Sequence, residues 1–413
     1  MTPTSSAVEL TSTGGEQVHL QTDELRAAGP AIPIRLPEGL IAWSVTRGDI
    51  AKRLLSSPHV SKDARKSWPG YEPGAIPWLN PWVDVASMFT TDGADHDRLR
   101  SLVGKAFTPR GVQELRPAVE KITADLLEAM AARPRDEPVE LRADFSHQLP
   151  NRVICDLFGM PEDQRPAMLD AISASLDTEA TEAEAAATRD TMMNAMRTLV
   201  ETKRRDPGED MTSLLIAAQT EDGGRLNDHE MVSTLFNMIA AGTETTTSLI
   251  NHAVCELLTH RDQLDLVLAD PGRWDDVTQE TLRMHAPIMH LPLRYATADI
   301  DLGEGVVLRT GDTIVIHFGA HGRDPGAHED PGAFRLDRGD KAHLAFGYGI
   351  HYCIGAPLAK LEAAIALPAL FERFPAIDLA VDRDQLEPQH SFIGNDYLTL
   401  PVQLYGRPGR RSD

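Results

Sequence analysis

Phe346-Gly347-Tyr348-Gly349-Ile350-His351-Tyr352-Cys353-Ile354-Gly355 runs directly into Ala356-Pro357-Leu358-Ala359-Lys360-Leu361-Glu362. Two glycines two residues apart allow positive φ and let the backbone approach a flat ligand closely. Pro357 suits the first turn of a helix, and Leu358, Leu361, Ile365 and Leu370 recur at helical spacing behind it. Cys353 therefore sits just before a helix N-terminus, where free N–H groups and the dipole favour a thiolate. A thiolate on a tight glycine loop is what haem iron needs from a protein to push electron density toward O–O cleavage. A lone cysteine is by base rate a buried small hydrophobe, and Cys155 and Cys255, in apolar helical patterns, take that reading. A dinucleotide-binding reading of Gly347 and Gly349 fails, because no third glycine follows at the required spacing.

The rest of the chain narrows the function classes. Its 413 residues are 42% hydrophobic and 25% charged, which excludes a wholly disordered or collagen-like chain. Forty Lys and Arg against 62 Asp and Glu give a net charge of -22, which repels nucleic acid and anionic membrane. Three cysteines cannot build a disulfide scaffold, a four-thiolate iron–sulfur site or a structural zinc site. Met1 to Gln17 is polar and lacks a basic apolar signal, and no run of about 18 apolar residues exists, so a cytoplasmic protein is expected.

Helical periodicity covers Val112 to Ala132, Phe145 to Phe158, roughly 164 to 205, Met211 to Gln219, 227 to 260 and Trp274 to His285. Asp177 to Asp190, rich in Ala, Glu and Thr, reads as a solvated helix face. Strand character is local: Ile300 and Leu302, Val306 to Leu308, and Ile314 to Phe318 about a turn at Gly311-Asp312. This order predicts a helix-rich single domain with a small sheet inserted late.

Within the 227–260 pattern stands Asn237-Met238-Ile239-Ala240-Ala241-Gly242-Thr243-Glu244-Thr245-Thr246. Gly followed by threonines is poor helix sequence, and such local rule-breaking marks functional sites. Threonine hydroxyls can bond back to the preceding turn and open the helix there. Glu280 and Arg283, at i,i+3 on one helix, can face each other.

Together these stretches resemble the cytochrome P-450 superfamily. Its haem signature F-G-x-G-x-H-x-C-x-G is matched at all six fixed positions, and its distal A-G-x-[D/E]-T-T runs from Ala241 to Thr246. The resemblance spans about 25 to 405, and implies a mainly α, single-domain P-450 fold between a polar segment 1–24 and a tail 406–413. It implies haem b with Cys353 as the metal ligand, O2 as co-substrate, and Glu244 with Thr245 as the catalytic acid–alcohol pair. Haem propionates need cationic or hydrogen-bonding partners, and His96, Arg100, Arg294 and His351 match the family's positions for them. Ala241, Gly242, Phe346, Gly347 and Gly355 complete the implied haem contacts. Glu280, Arg283 and Arg338, with Pro287 and Phe334 in the expected order, match a buried structural network. Two departures are Gly93-Ala94 before His96, which blurs where that helix begins, and Gly322 where Asn is usual. Val60 to Arg65, Asp92 to His96 and Leu291 to Ala296 are further similar to soluble actinomycete members, among which steroid and macrolide hydroxylations are known.

Trp68, Trp78 and Trp82, with Tyr71, Met88 and Phe89, fall in a loop that in the family roofs the pocket, and rigid aromatic area suits a bulky planar guest. Trp82, Met88, Phe89, Met238, Ala241, Ile288, Met289, His290, Leu291, Phe392 and Ile393 are the expected pocket residues, with His290 as the polar handle. No flavin or iron–sulfur module fits, so electrons are expected from a separate partner, and the resemblance implies a ferredoxin and its reductase. Arg98, Lys105, Arg110, Lys341 and Lys360 could form a basic patch that steers an acidic donor. The leading expectation is a monooxygenase hydroxylating a bulky apolar, steroid- or macrolide-like substrate. Oxidative coupling of aromatic partners such as tryptophan-containing cyclic dipeptides is the alternative among enzymes. A haem-based ligand sensor is the non-enzyme alternative, weakened because sensors need no acid–alcohol pair.

Overall fold

The computed structural model describes residues 7–10, 15–104, 106–178, 180–221 and 226–406. One helix organises them. Asp228–Thr259 runs for 32 residues and is buried over most of its circumference, as a helix surrounded by others must be. Its start is fixed by a reciprocal cap: Asn227 Oδ1 accepts from the Glu230 N–H at 2.9 Å, and Glu230 Oε2 accepts from the Asn227 N–H at 2.9 Å. Gln148–Phe158, Glu182–Arg205, Trp274–Met284 and Ala356–Arg373 all pack against it.

Two long patterns break where the chain supplies a reason. Val112 to Ala132 is two helices, Pro109–Glu114 and Arg116–Ala131, with Pro117 in the first turn of the second unable to donate to the turn before it. The 164–205 pattern divides into Arg165–Ala174 and Glu182–Arg205, the latter capped by Thr181. Asp177, Thr178, Ala180 and Thr181 therefore lie outside either helix, which corrects the reading of Asp177 to Asp190 as one helix face.

The main sheet has six strands in the order Val8–Glu9, Ile32–Arg35, Ile41–Val45, Thr313–His317, His290–Ala296, Val60–Ser61. It is thus not confined to the late part of the chain. Ile41–Val45 runs parallel to Thr313–His317, with Trp43 opposite Ile314, so N-terminal and late strands share one core. The N-terminal strands are short, and Pro33 interrupts one of them, which hides them among the proline punctuation. The helix Glu16–Ala28 buries Val18, Thr22 and Leu25 and lies across the expected boundary at residue 24. Thr22 Oγ1 and His317 Nε2 stand 2.7 Å apart, so this segment belongs to the body of the domain.

Between helices and sheet lies a buried ion network. Arg283 Nε and Nη2 donate to Glu280 Oε2 and Oε1 at 2.7 and 2.8 Å, and Arg338 Nε donates to Glu280 Oε1 at 3.1 Å. Arg283 spends its remaining donors on the carbonyls of Gly322, Pro331 and Ala333. The departure at Gly322 has a steric cause: a Cβ there would lie 1.9 Å from the Arg283 carbonyl oxygen. Both Arg283 and Glu280 have fully buried side chains, so removing one strands the other's charge. Arg283→Ala should cost about 3–5 kcal/mol of stability. Guanidinium unfolding followed by circular dichroism checks this, and a loss below about 1 kcal/mol contradicts the assignment.

Candidate active site

The cysteine loop is built by its glycines. Gly347 and Gly349 both take φ of +75°, and a Cβ on Gly349 would sit 2.4 Å from the Leu55 carbonyl oxygen. The Cys353 N–H donates to the Phe346 carbonyl at 2.8 Å, closing the loop before the helix Ala356–Arg373. Cys155 and Cys255 are buried, whereas Cys353 carries accessible surface although protein surrounds it on nearly every side. Cys353 is therefore open on one side only. Burial pushes the thiol above its ordinary pKa, opposed by the N–H groups of Gly355 and Ala356 and by Arg100. The helix N-terminus supplies the expected donors, but they do not outweigh burial alone; a cation on the open side would, since metal coordination deprotonates a thiol outright.

Around this loop the structure brings together the four residues matched to propionate binding. His96 and His351 pack edge to face at 4.7 Å between ring centroids, and Arg100 Nη2 donates to the Tyr352 carbonyl at 2.9 Å. The helix bearing His96 begins at Gly93, whose φ of +58° explains why glycine stands there. Asp92 Oδ1 faces His351 Nε2 at 3.1 Å, while its Oδ2 accepts from Ser61 Oγ at 2.6 Å and the Lys62 N–H at 2.7 Å. Although burial raises the Asp92 pKa, these bonds hold it far below the ordinary carboxylate range. Arg294 is buried, and burial lowers its guanidinium to about 10. Among the described residues its guanidinium has no hydrogen bond or ion pair.

Lys62 is a member of this site that sequence reasoning did not single out. It is 3% exposed, and its Nζ donates to the Pro292 carbonyl at 3.1 Å and lies 3.8 Å over the Phe89 ring. Burial and the neighbouring Arg294 drive its pKa well down. His96 Nε2 is buried with no partner. Two interior cations, Lys62 and Arg294, thus have Asp92 as their nearby carboxylate, and the His96 ring nitrogen beside this site is orphaned. Such a donor set calls for anionic groups, and the two carboxylates of a haem fit it.

On the long helix, Ala241 is exposed and Asn237, Ala240, Gly242 and Thr245 are half-buried, amid residues otherwise closed to solvent. A Cβ on Gly242 would come within 3.0 Å of Ile154 Cδ1, so glycine here lets the Gln148–Phe158 helix approach. Thr245 Oγ1 donates to the Ala241 carbonyl at 2.7 Å, yet the helix continues unbroken, contrary to the expected opening. Glu244 and Thr245 share no hydrogen bond. Glu244 is 4% exposed and turns to Arg142 Nη2 at 2.7 Å, His147 Nε2 at 3.0 Å and the Ser173 hydroxyl. Burial alone would raise its pKa, but His147 and Arg142 bring it down to about 2. Arg142, His147 and Ser173 stand 71 to 102 residues from Glu244 in sequence and carry no motif that could have revealed them.

The expected pocket segments meet each other. Ile288 bridges Gly394, and the Met289 N–H donates to the Ile393 carbonyl at 2.7 Å. Trp78 packs edge-on to Phe392 at 5.6 Å and Trp82 to Phe89 at 6.4 Å, while Trp68 stacks on Tyr295 at 5.8 Å, inside the core. A groove lined by Trp78, Trp82, Met192 and Ile393 runs between the tryptophan loop and the paired helices Arg165–Ala174 and Glu182–Arg205. Met88 and Met238 are buried in the main core, and Leu291 packs on the sheet with Ile314 and Ile316. Of the polar handle expected at His290, Nδ1 is used, donating to the Phe392 carbonyl at 2.9 Å with the ring 4.0 Å from His317, while its buried Nε2 has no partner among the described residues. The basic patch is largely spent as well. Arg98 pairs with Glu230 at 2.5 Å, Lys341 with Asp276 at 3.0 Å and Arg110 with Glu114 at 3.4 Å. Lys360 lies 5.7 Å from the Phe346 ring, and Lys105 falls outside the described residues.

Comparison with known proteins agrees with this geometry. The family model described as cytochrome P450 matches residues 165–267 and 274–396. The 2-hydroxy-5-methyl-1-naphthoate 7-hydroxylase of Streptomyces carzinostaticus is 44% identical over 397 residues, 95% of this chain and 96% of that one. The 6-deoxyerythronolide B hydroxylase of Saccharopolyspora erythraea is 40% identical over 390 residues, 93% and 95% of the two chains. The solved structure of CYP154A1 from Streptomyces coelicolor A3(2) superposes with a TM-score of 0.92 at 43% identity, covering 97% of this chain and 100% of that one. Among the described residues no helix is long and apolar enough to cross a membrane.

The unpaired buried guanidinium yields a direct test. Arg294→Leu should lower haem affinity by about tenfold or more, read by titrating haem-free protein with hemin, because a lost charged hydrogen bond costs about 1.5–3 kcal/mol. Unchanged affinity would remove Arg294 from the propionate site.

Proposed function

The chain belongs to the cytochrome P450 family, and from that premise we propose that its reaction is hydroxylation of a bulky, mostly apolar molecule of steroid or macrolide size. It is a haem b monooxygenase. When bound, the haem supplies the activation of dioxygen, one atom of which enters the substrate while the other leaves as water with two electrons and two protons. The observation that carries the assignment of the site is the accessible sulfur of Cys353 beside an interior cluster of cations with too few anions. Cys353 would hold the iron, with Arg100, His96, Arg294, His351 and Lys62 around the carboxylate arms.

The chain's own residues then divide the remaining work. Phe392, Ile393, Trp78 and Trp82 offer apolar surface that orients a guest and displaces water. Thr245, one helical turn from the exposed Ala241, is placed to hold a proton donor at its hydroxyl, and the adjacent Glu244 is the acid that resupplies it. With Arg142 and His147 gripping it, Glu244 is ionised in this arrangement and must leave their hold to carry a proton. Electrons would come from a ferredoxin and its reductase. The relatives support the substrate class: one is named for a naphthoate, which is a fused aromatic bicycle, and another for an erythronolide, which is a macrocyclic lactone.

Two outcomes test this reading. Thr245→Ala should keep its haem and its substrate affinity, while product per electron pair falls about tenfold and hydrogen peroxide rises. Coupling at the wild-type level contradicts the role. For the substrate, a panel of steroids, macrolides and polycyclic aromatics should include at least one compound that shifts the Soret band with affinity in the low-micromolar class, since each buried methylene contributes about 0.8 kcal/mol. A response confined to small organic acids contradicts the pocket assignment.

A further inference from the structure

Arg142 touches two buried carboxylates that do not touch each other. Its Nη2 donates to Glu244 Oε2 at 2.7 Å and its Nε to Asp396 Oδ2 at 3.2 Å. Both carboxylates are almost fully enclosed, with side chains 4% and 2% exposed. Each has its own retinue. Glu244 accepts from Ser173 and faces His147, whereas Asp396 accepts from Asn251 Nδ2 at 2.9 and 3.0 Å and from the Tyr397 N–H at 2.8 Å. Glu140 approaches from the other side and accepts the Arg142 backbone N–H at 3.2 Å. One guanidinium thus serves two interior acids. Burial and the nearby charge of Glu244 push the Asp396 carboxyl up to about 6, the opposite direction from Glu244.

Asp396 ends the segment that carries Phe392 and Ile393. That segment is zipped to the other pocket stretch by the Met289–Ile393 and Ile288–Gly394 pairings, and by the Asn395 N–H donating to the Pro287 carbonyl at 2.9 Å. It hangs on the long helix through Ser248 Oγ and His252 Nε2 at the Asn395 carbonyl, and through Asn251 at Asp396. Glu244, Ser248, Asn251 and Asn251's neighbour His252 follow one face of that helix at three- and four-residue steps. A guest pressing on Phe392 or Ile393 therefore moves the backbone that carries one of the two anions held by Arg142.

We infer that Arg142 is a positioning residue that couples occupation of the pocket to Glu244, by shifting its guanidinium between Glu244 and Asp396 as the Phe392–Asp396 segment adjusts to a guest. This rests on the reading of Glu244 as the acid that resupplies protons. When Arg142 favours Asp396, Glu244 is freed from its strongest cation and can turn toward Thr245. The empty protein keeps Glu244 locked, so protons are delivered only when there is something to oxidise. By linkage the effect is reciprocal: whatever weakens the hold on Glu244 must change affinity for the guest.

The test is a binding cycle on the haem-loaded enzyme. The probe is clotrimazole, an imidazole whose nitrogen ligates haem iron and whose three phenyl rings fill a pocket whatever the natural substrate is. Glu244→Gln should change the clotrimazole dissociation constant, read from the Soret shift, by about fivefold, although Glu244 lies outside the pocket. The same substitution in an Arg142→Gln background should have no effect, because the route passes through Arg142. Arg142→Lys, which keeps the charge but loses the planar fork, should fold and retain part of the effect. An unchanged constant in Glu244→Gln, or the same fivefold change with and without Arg142, overturns the clamp. Product per electron pair in Glu244→Gln is the separate measure of the proton reading. Wild-type coupling there overturns that reading and the coupling's purpose with it, whereas an additive binding cycle overturns the clamp alone.

Discussion

A charge can be kept inside a protein only if an opposite charge or a set of hydrogen bonds is kept beside it. Around Cys353 that condition is only half met by the polypeptide. The loop gives the sulfur two backbone N–H groups, but burial still disfavours the thiolate. A few residues away Arg294 and Lys62 are interior cations with Asp92 as their nearby carboxylate. The two imbalances have opposite sign and complement one group: a planar ligand with a cation at its centre and carboxylates at its edge. Much of the fold serves to hold these two unfinished sites in register, through the long helix on one side and, on the other, the strand His290–Ala296 that bears Arg294 and the strand Val60–Ser61 that Lys62 follows.

The same rule explains the places where the protein completes its own bookkeeping. Glu280 is neutralised by Arg283 and Arg338 with every donor of Arg283 used, and this network is structural. Glu244 is also satisfied, by Arg142, His147 and Ser173, but one of these partners, Arg142, is shared with Asp396. A fully satisfied network is rigid. One that shares a single cation between two anions gives that cation an alternative partner, which is what a coupling device requires.

The parts of this account that were legible in the sequence are those set by neighbours along the chain. The glycines at 347 and 349, Cys353 and Pro357 act within a dozen residues, so their spacing specifies the loop. The Asp228–Thr259 helix carries its own cap and its own apolar pattern. What could not be read depends on pairs far apart in sequence. Arg142 and Asp396 are separated by 254 residues, and neither lies in a motif. Lys62 looks like any surface lysine until the strand His290–Ala296 is laid against Val60–Ser61. His290 is a mixed case: its position after a helix suggested a pocket contact, and strand pairing turns its ring to His317 and Phe392 with Nδ1 used and Nε2 left without a partner among the described residues. Gly322 shows that a departure from a family pattern can be as informative as a match, since the Arg283 carbonyl leaves no room for a side chain.

The central claim is that the sulfur of Cys353 is the sole protein ligand to the iron. Carbon monoxide added to the reduced enzyme tests it most directly, because the Soret band of the complex reports the ligand on the opposite face. The account predicts the long-wavelength band of a thiolate complex in the wild-type protein and its complete loss in Cys353→Ser. A long-wavelength band that survives in Cys353→Ser would contradict it.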